Sequence, residues 1–153
     1  MKQGGKHNVQ KSPGQIALSQ KSAVVDPARA AARAAARVDE DSRRTAVMAA
    51  RAAQEKKAED VVVLDLRGVS GYTDFLVVGS GTSDRQIESI AESVEKELKS
   101  QGHRVVGSEG QRGGRWVLLD FGDVVVHVFH EQERGHYDLE GLWADAPRVE
   151  IES

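Results

Sequence analysis

Cysteine is absent from this chain of 153 residues. That excludes disulfides, thiol catalysis and cysteine-ligated zinc or iron–sulfur centres. It is compatible with a reducing, cytoplasmic setting. Long apolar runs are missing too. No stretch approaches the roughly 20 apolar residues that a membrane span needs, and the first residues lack the apolar core of a secretory signal. What is present, 39% hydrophobic and 29% charged residues, suits a globular protein of one domain plus a tail.

The net charge of −3 hides an asymmetry. Residues 1–38 hold seven basic side chains (Lys2, Lys6, Lys11, Lys21, Arg29, Arg33, Arg37) and one acid, Asp26; taken from totals of 21 basic and 24 acidic, this leaves 14 and 23 for residues 39–153, a net of −9. So acidic a body is a poor binder of phosphate backbones, whose affinity rests on Lys and Arg. It is better suited to a basic protein surface. The expected organisation is a disordered basic Ala/Arg-rich tail over 1–41, a folded domain over 42–149 and a short end at 150–153. In the tail, arginines recur every four residues through PARAAARAAAR at 27–37, which a helix would align on one side. No large apolar side chain is there to dock such a helix. A mobile tail, an RNA-touching arm and an organellar transit segment all remain open for it.

The body carries clearer signals. Residues 42–58 predict a helix, with Ser42 as cap and a thin apolar side of alanines, Val47 and Met48. The β-branched run at 61–66 and the run at 75–78 predict strands. After GSGTS at 79–83, Ser83 and Gln86 form a capping box. The following helix places Ile87, Ile90, Ala91, Val94 and Leu98 on one face and stops at Gly102. A short strand is expected around 104–106, then a glycine-rich turn at 109–114. Runs at 116–121 and 124–129 flank Gly122-Asp123 as a tight hairpin. Both faces of the second run are apolar, which predicts a central strand. Residues 137–143 read as a short helix. The order implies an α/β (α+β) domain with a mixed sheet flanked by helices.

Several patterns invite a chemical reading. The Gly-Ser stretch at 79–83 precedes a helix N-terminus, where free amides attract anions, so a nucleotide-binding or nucleotidyltransferase-like enzyme is the alternative function. It is not a Walker loop, because no Gly-Lys-Ser/Thr follows. Transferases also need close carboxylates to hold metal. Asp84 is followed by Arg85 and Gln86, Asp65 is followed two residues on by Arg67, and Asp120 and Asp123 are parted by a turn. His127 and His130 lie three apart, so on a strand they point to opposite faces. No catalytic residue, metal site or cofactor is expected. The most suggestive surface combines aromatics (Trp116, Tyr137, Trp143) with acids (Glu109, Asp120, Asp123, Asp138, Glu140, Asp145). Aromatics anchor interfaces, and acids select basic partners.

Four strings together resemble the ribosomal silencing factor (Iojap-like) family: KAEDVVVLDL at 57–66, TDFLVVGSGTS at 73–83 with Arg85-Gln86, GRWVLLDFGDVVVHVF at 114–129, and RGHYDLEGLW at 134–143. The resemblance spans roughly 43–149 with the motifs in family order. It implies a nucleotidyltransferase-like fold without the catalytic carboxylates. It also implies a non-enzymatic translation repressor that binds the large ribosomal subunit through ribosomal protein L-fourteen and sterically blocks joining of the small subunit; a homodimer is a further implication. The family's interface positions correspond to Trp116, with Asp120 nearby, and the Tyr137-to-Glu140 segment is the next candidate. The partner-binding set is therefore Trp116, Asp120, Glu109, Tyr137, Asp138 and Glu140. Phe121 stands where the family often has Tyr, and Gly135 where a bulkier residue is commoner. The resemblance says nothing of the tail, whose direct contact with RNA is the most it could add.

Overall fold

A strand apolar on both faces has to be covered on both sides, and the strand Val124–His130 is: all seven of its residues are buried. The structure, a computed structural model, describes residues 27–28, 41–69, 71, 73–110 and 114–151. Apart from residues 27, 28 and 41, the expected tail lies outside the described residues, as do residues 111–113 of the glycine-rich turn. The elements in chain order are α1 (Asp41–Glu55), β1 (Glu59–Asp65), β2 (Phe75–Gly81), α2 (Asp84–Ser100), β3 (Gly107–Glu109), β4 (Trp116–Asp120), β5 (Val124–His130), α3 (Glu131–Tyr137), α4 (Leu139–Leu142) and β6 (Arg148–Val149). The six strands form one mixed sheet in the order β3-β4-β5-β2-β1-β6. β2 and β5 pair in parallel, while the other neighbours are antiparallel. This is the α+β architecture expected from the element order, with β5 in the interior.

One face of the sheet is covered by α1 and α2. The α1 side that meets it is almost all alanine: Ala46, Ala49, Ala50, Ala52 and Ala53 are buried. Small side chains let the helix lie close to β1 and β2. α2 buries Ile87, Ile90, Ala91, Val94 and Leu98, worth about 1.5–3 kcal/mol for each large side chain. Its start is capped by Ser83 Oγ, which accepts from the Gln86 amide at 3.1 Å. The Gln86 side chain reaches further: its amide nitrogen donates to the Lys56 and Lys57 carbonyls, each at 3.1 Å. It thereby caps the end of α1, where Lys57 turns the chain with a φ of 65°.

The opposite face carries a second core of Leu64, Leu66, Leu76, Val78, Trp116, Leu118, Val125 and Phe129. The chain's last segment closes over it with Leu139, Trp143 and Ala146, then adds β6 beside β1.

Four expectations need correction. Ser42 is not a cap but lies inside α1, which already includes Asp41, and its hydroxyl is directed at the carboxylates of Asp74 at 3.4 Å and Asp123 at 3.3 Å. Residues 79–81 are strand, not loop, because β2 continues to Gly81 with every residue buried. The short strand expected at 104–106 lies instead at Gly107–Glu109, on the sheet edge. The single helix expected over 137–143 is two: α3 ends at Tyr137 and α4 begins at Leu139, with Asp138 between them in the left-handed region at a φ of 41°.

Candidate functional site

Register decides which side chains meet, because residues opposite one another in an antiparallel pair project to the same face. Trp116 lies opposite Phe129, Leu118 opposite His127 and Asp120 opposite Val125. Glu109 lies opposite Leu118. Glu109, Trp116 and Asp120 therefore share the face that α4 covers, away from α1 and α2. α3 follows β5 directly and carries Tyr137 back over Trp116, with ring centroids 4.2 Å apart. The fold thus brings four of the six expected partner-binding residues to one side, and Asp138 and Glu140 follow Tyr137 in the chain.

Burial separates their roles. Trp116 is only 6% exposed, while Tyr137 above it is 43% exposed. The tryptophan expected to be a free anchor is thus already packed, 4.3 Å from the Phe129 ring. The aromatic surface offered to solvent is the tyrosine. Below, Trp116 Nε1 donates to His127 Nδ1 at 2.9 Å. That bond fixes the His127 tautomer: Nδ1 is the acceptor, so a neutral ring carries its proton on Nε2. His127 is fully buried, and Nε2 has no hydrogen-bond partner among the described residues. Burial pushes its pKa down to about 3.

The acids differ as well. Glu109 is half-buried, and burial raises its pKa above its ordinary value. Asp120 is half-buried too and accepts from the Gly122 amide at 2.8 Å, shaping the hairpin turn. Asp138 caps α4 by accepting from the Gly141 amide at 3.1 Å. Glu140 is held by Arg134 through two bonds of 3.1 and 2.9 Å. Asp138 and Glu140 therefore shape the turn that presents Tyr137, whatever they offer a partner.

Arg134 and Arg115 are the residues that sequence reasoning missed. Arg115 bonds Gln132 at 2.9 Å and Glu133 at 3.3 Å, tying the start of β4 to α3. No periodicity relates these positions, and their only signal was an arginine beside each aromatic motif.

The Gly-Ser stretch does not form an open anion cradle. A Cβ at Gly79 would lie 3.3 Å from Val61 Cγ2, so this glycine serves close packing. Ser80 Oγ donates to the Glu59 carbonyl at 3.2 Å and accepts from Arg134 at 3.0 Å. The Thr82 amide is bonded to Gln86 Oε1 at 2.7 Å. His130 Nδ1 accepts from the Gln132 amide at 3.2 Å and so caps α3, on the opposite side of β5 from His127. Asp65 and Arg67 form a two-bond pair at 2.9 Å. Among the described residues, no group of three or more His, Asp or Glu is placed to hold a metal. No helix among them is long and apolar enough to cross a membrane.

A family described as "Ribosomal silencing factor during starvation" matches residues 39–153. The ribosomal silencing factor of Halalkalibacterium halodurans is 48% identical over 105 residues, covering 69% of this chain and 90% of that protein. A crystal structure of a protein from Chromobacterium violaceum superposes with a TM-score of 0.65 at 36% identity, covering 72% of this chain and 92% of that one. More distant is the mouse protein named for mitochondrial assembly of the ribosomal large subunit, 33% identical over 93 residues, which are 59% of this chain and 41% of that protein.

Proposed function

This chain belongs to the ribosomal silencing factor family, and from that premise we propose that it docks on the large ribosomal subunit through the face carrying Tyr137. As a family member it is a ribosome-associated regulator of translation rather than a catalyst. In the finer reading it binds ribosomal protein L-fourteen, occupies the surface the small subunit needs, and represses translation by steric occlusion. The silencing domain covers at least 42–149, within the 39–153 match, and the basic tail precedes it.

The observation that carries this reading is a half-exposed tyrosine seated on a buried tryptophan, on the same side of the sheet as Glu109 and Asp120. Rigid aromatics on a packed base make interface hot spots, because little side-chain freedom is lost on binding. The acids, and the net charge of −9 over residues 39–153, favour a basic protein surface over RNA. The mouse relative's name speaks of the large subunit, which agrees in direction.

The test is cosedimentation with separated large and small subunits. Wild type is expected to pellet with the large subunit alone. Tyr137→Ala is expected to lose about 2 kcal/mol of binding while keeping its melting temperature within a few degrees. A folded Tyr137→Ala protein that binds like wild type would remove this face from the interaction. Binding to neither subunit would remove the ribosomal reading.

A further inference from the structure

Tyr137 stands at the end of a seven-residue helix none of whose residues is buried. Apart from the stack of the Tyr137 ring on Trp116 and the Arg115 bonds to Gln132 and Glu133, such a helix has little packing to fix the turn that follows it. Immediately after it the chain turns through Asp138, a non-glycine residue with a φ of 41°, a conformation that is disfavoured for L residues. Bonds from α3 to groups outside it must hold this elbow.

We propose that Arg134 is the positioning residue that holds Tyr137 over Trp116 and so keeps the docking face in its binding form; this rests on the reading of that face given above. Arg134 precedes the elbow and Glu140 follows it. Two parallel bonds of 3.1 and 2.9 Å join them, and the planar fork of a guanidinium fixes direction as well as distance. The other side of the guanidinium is anchored in the sheet. Nη1 donates to Ser80 Oγ at 3.0 Å and to the Glu59 carbonyl at 3.2 Å. That carbonyl is presented by a break in β1 register between Glu59 and Val62, where Asp60 takes a φ of 49°. Ser80 Oγ bonds the same carbonyl at 3.2 Å. Elbow, helix and the ends of two strands thus meet on one side chain.

This gives the Gly-Ser stretch a purpose other than nucleotide binding: its serine is the sheet's handle on Arg134. The side chain of Arg134 is only 11% exposed, so it acts on a partner through what it positions. Lysine could not replace it fully, because a point charge on a flexible stem cannot make both bonds to Glu140 while reaching Ser80.

The test pairs a spectrum of the free protein with a binding cycle. Tyr137 ring signals are followed by NMR, since the stacked Trp116 displaces them. Affinity for isolated large subunits is titrated for Arg134→Gln, Arg134→Lys, Tyr137→Ala and the Arg134→Gln/Tyr137→Ala double variant. Arg134→Gln is expected to release the Tyr137 shifts and weaken binding roughly tenfold. Arg134→Lys falls between it and wild type. The double variant binds no worse than Tyr137→Ala alone, as coupled residues require. Unmoved ring signals in Arg134→Gln overturn the proposal. So do independent, multiplying losses in the double variant, which would mean that Arg134 acts other than through the tyrosine. Wild-type affinity in Tyr137→Ala overturns the docking reading instead, and the ring signals still decide whether Arg134 places the ring. If Arg134→Gln does not fold, Arg134→Lys carries both comparisons.

Discussion

Replacing His127 with leucine should change how this protein responds to acid. The imidazole is fully buried, neutral and held at a pKa of about 3, whereas in the unfolded chain it titrates near 6.5. Lowering a histidine's pKa on folding means that the unfolded state takes up the proton first. Above 6.5 neither state is charged there and stability is unaffected. As pH falls from 6.5 towards 3, the unfolded state gains about 1.4 kcal/mol per pH unit, so at pH 4.5 the wild type has lost about 3 kcal/mol to this residue alone. His127→Leu has no such loss. At pH 7.5 the variant is less stable, because Trp116 Nε1 loses its acceptor, at a cost of about 1–3 kcal/mol. The stability difference between the two proteins should therefore shift in the variant's favour by about 3 kcal/mol between pH 7.5 and 4.5. Urea melts at a series of pH values measure this, and the other histidines and carboxylates cancel in the difference. Parallel curves for the two proteins over that range would refute the reasoning, since His127 would then be protonated as easily inside the fold as outside it.

Two further substitutions test the local structure. Ser83→Ala removes the acceptor that caps α2 and should cost about 1 kcal/mol in chemical denaturation, with ribosome binding unchanged; a cost near zero would show that the Thr82–Gln86 bond alone suffices. Gly110→Ala puts a methyl against the Trp116 carbonyl at a residue with a φ of 76°, and should destabilise by at least about 2 kcal/mol, read as a lowered melting temperature. An unchanged melt there would mean that the turn beside Trp116 has room the geometry denies it.

Parts of this fold were legible from the sequence because hydrophobic pattern and geometry agree there. β5 reads as interior because valines fill both its faces, and α2 reads as a helix because its apolar residues repeat at helical spacing. Residues 79–81 misled because glycine is a turn signal in sequence. At Gly79 it answers a packing requirement instead, since Val61 on the neighbouring strand leaves little room for a side chain there. β3 was displaced because an edge strand with exposed Gly107 and Ser108 has almost no apolar signature. α3 was invisible because no apolar side chain of it is fully buried, which leaves no hydrophobic period to read. The family resemblance points to Trp116 and Asp120, and the neighbouring acids add Glu109, but only strand register puts the three on one face. Arg134 and Glu140 lie six apart, too far along a strand to touch and off the three- and four-residue spacing of a helix face, so only the elbow at Asp138 brings them together.

The closing of the second core by Leu139, Trp143 and Ala146 has a consequence in time. During synthesis the amino-terminal part of a domain emerges first, and the face built on Leu64, Leu76 and Val125 stays uncovered until residues 139–146 have left the ribosome. Tyr137 and its elbow immediately precede that segment. A chain still being made, or truncated before residue 137, lacks both the seal of its second core and the tyrosine of the proposed docking face, so on that reading the face forms only once this segment has emerged.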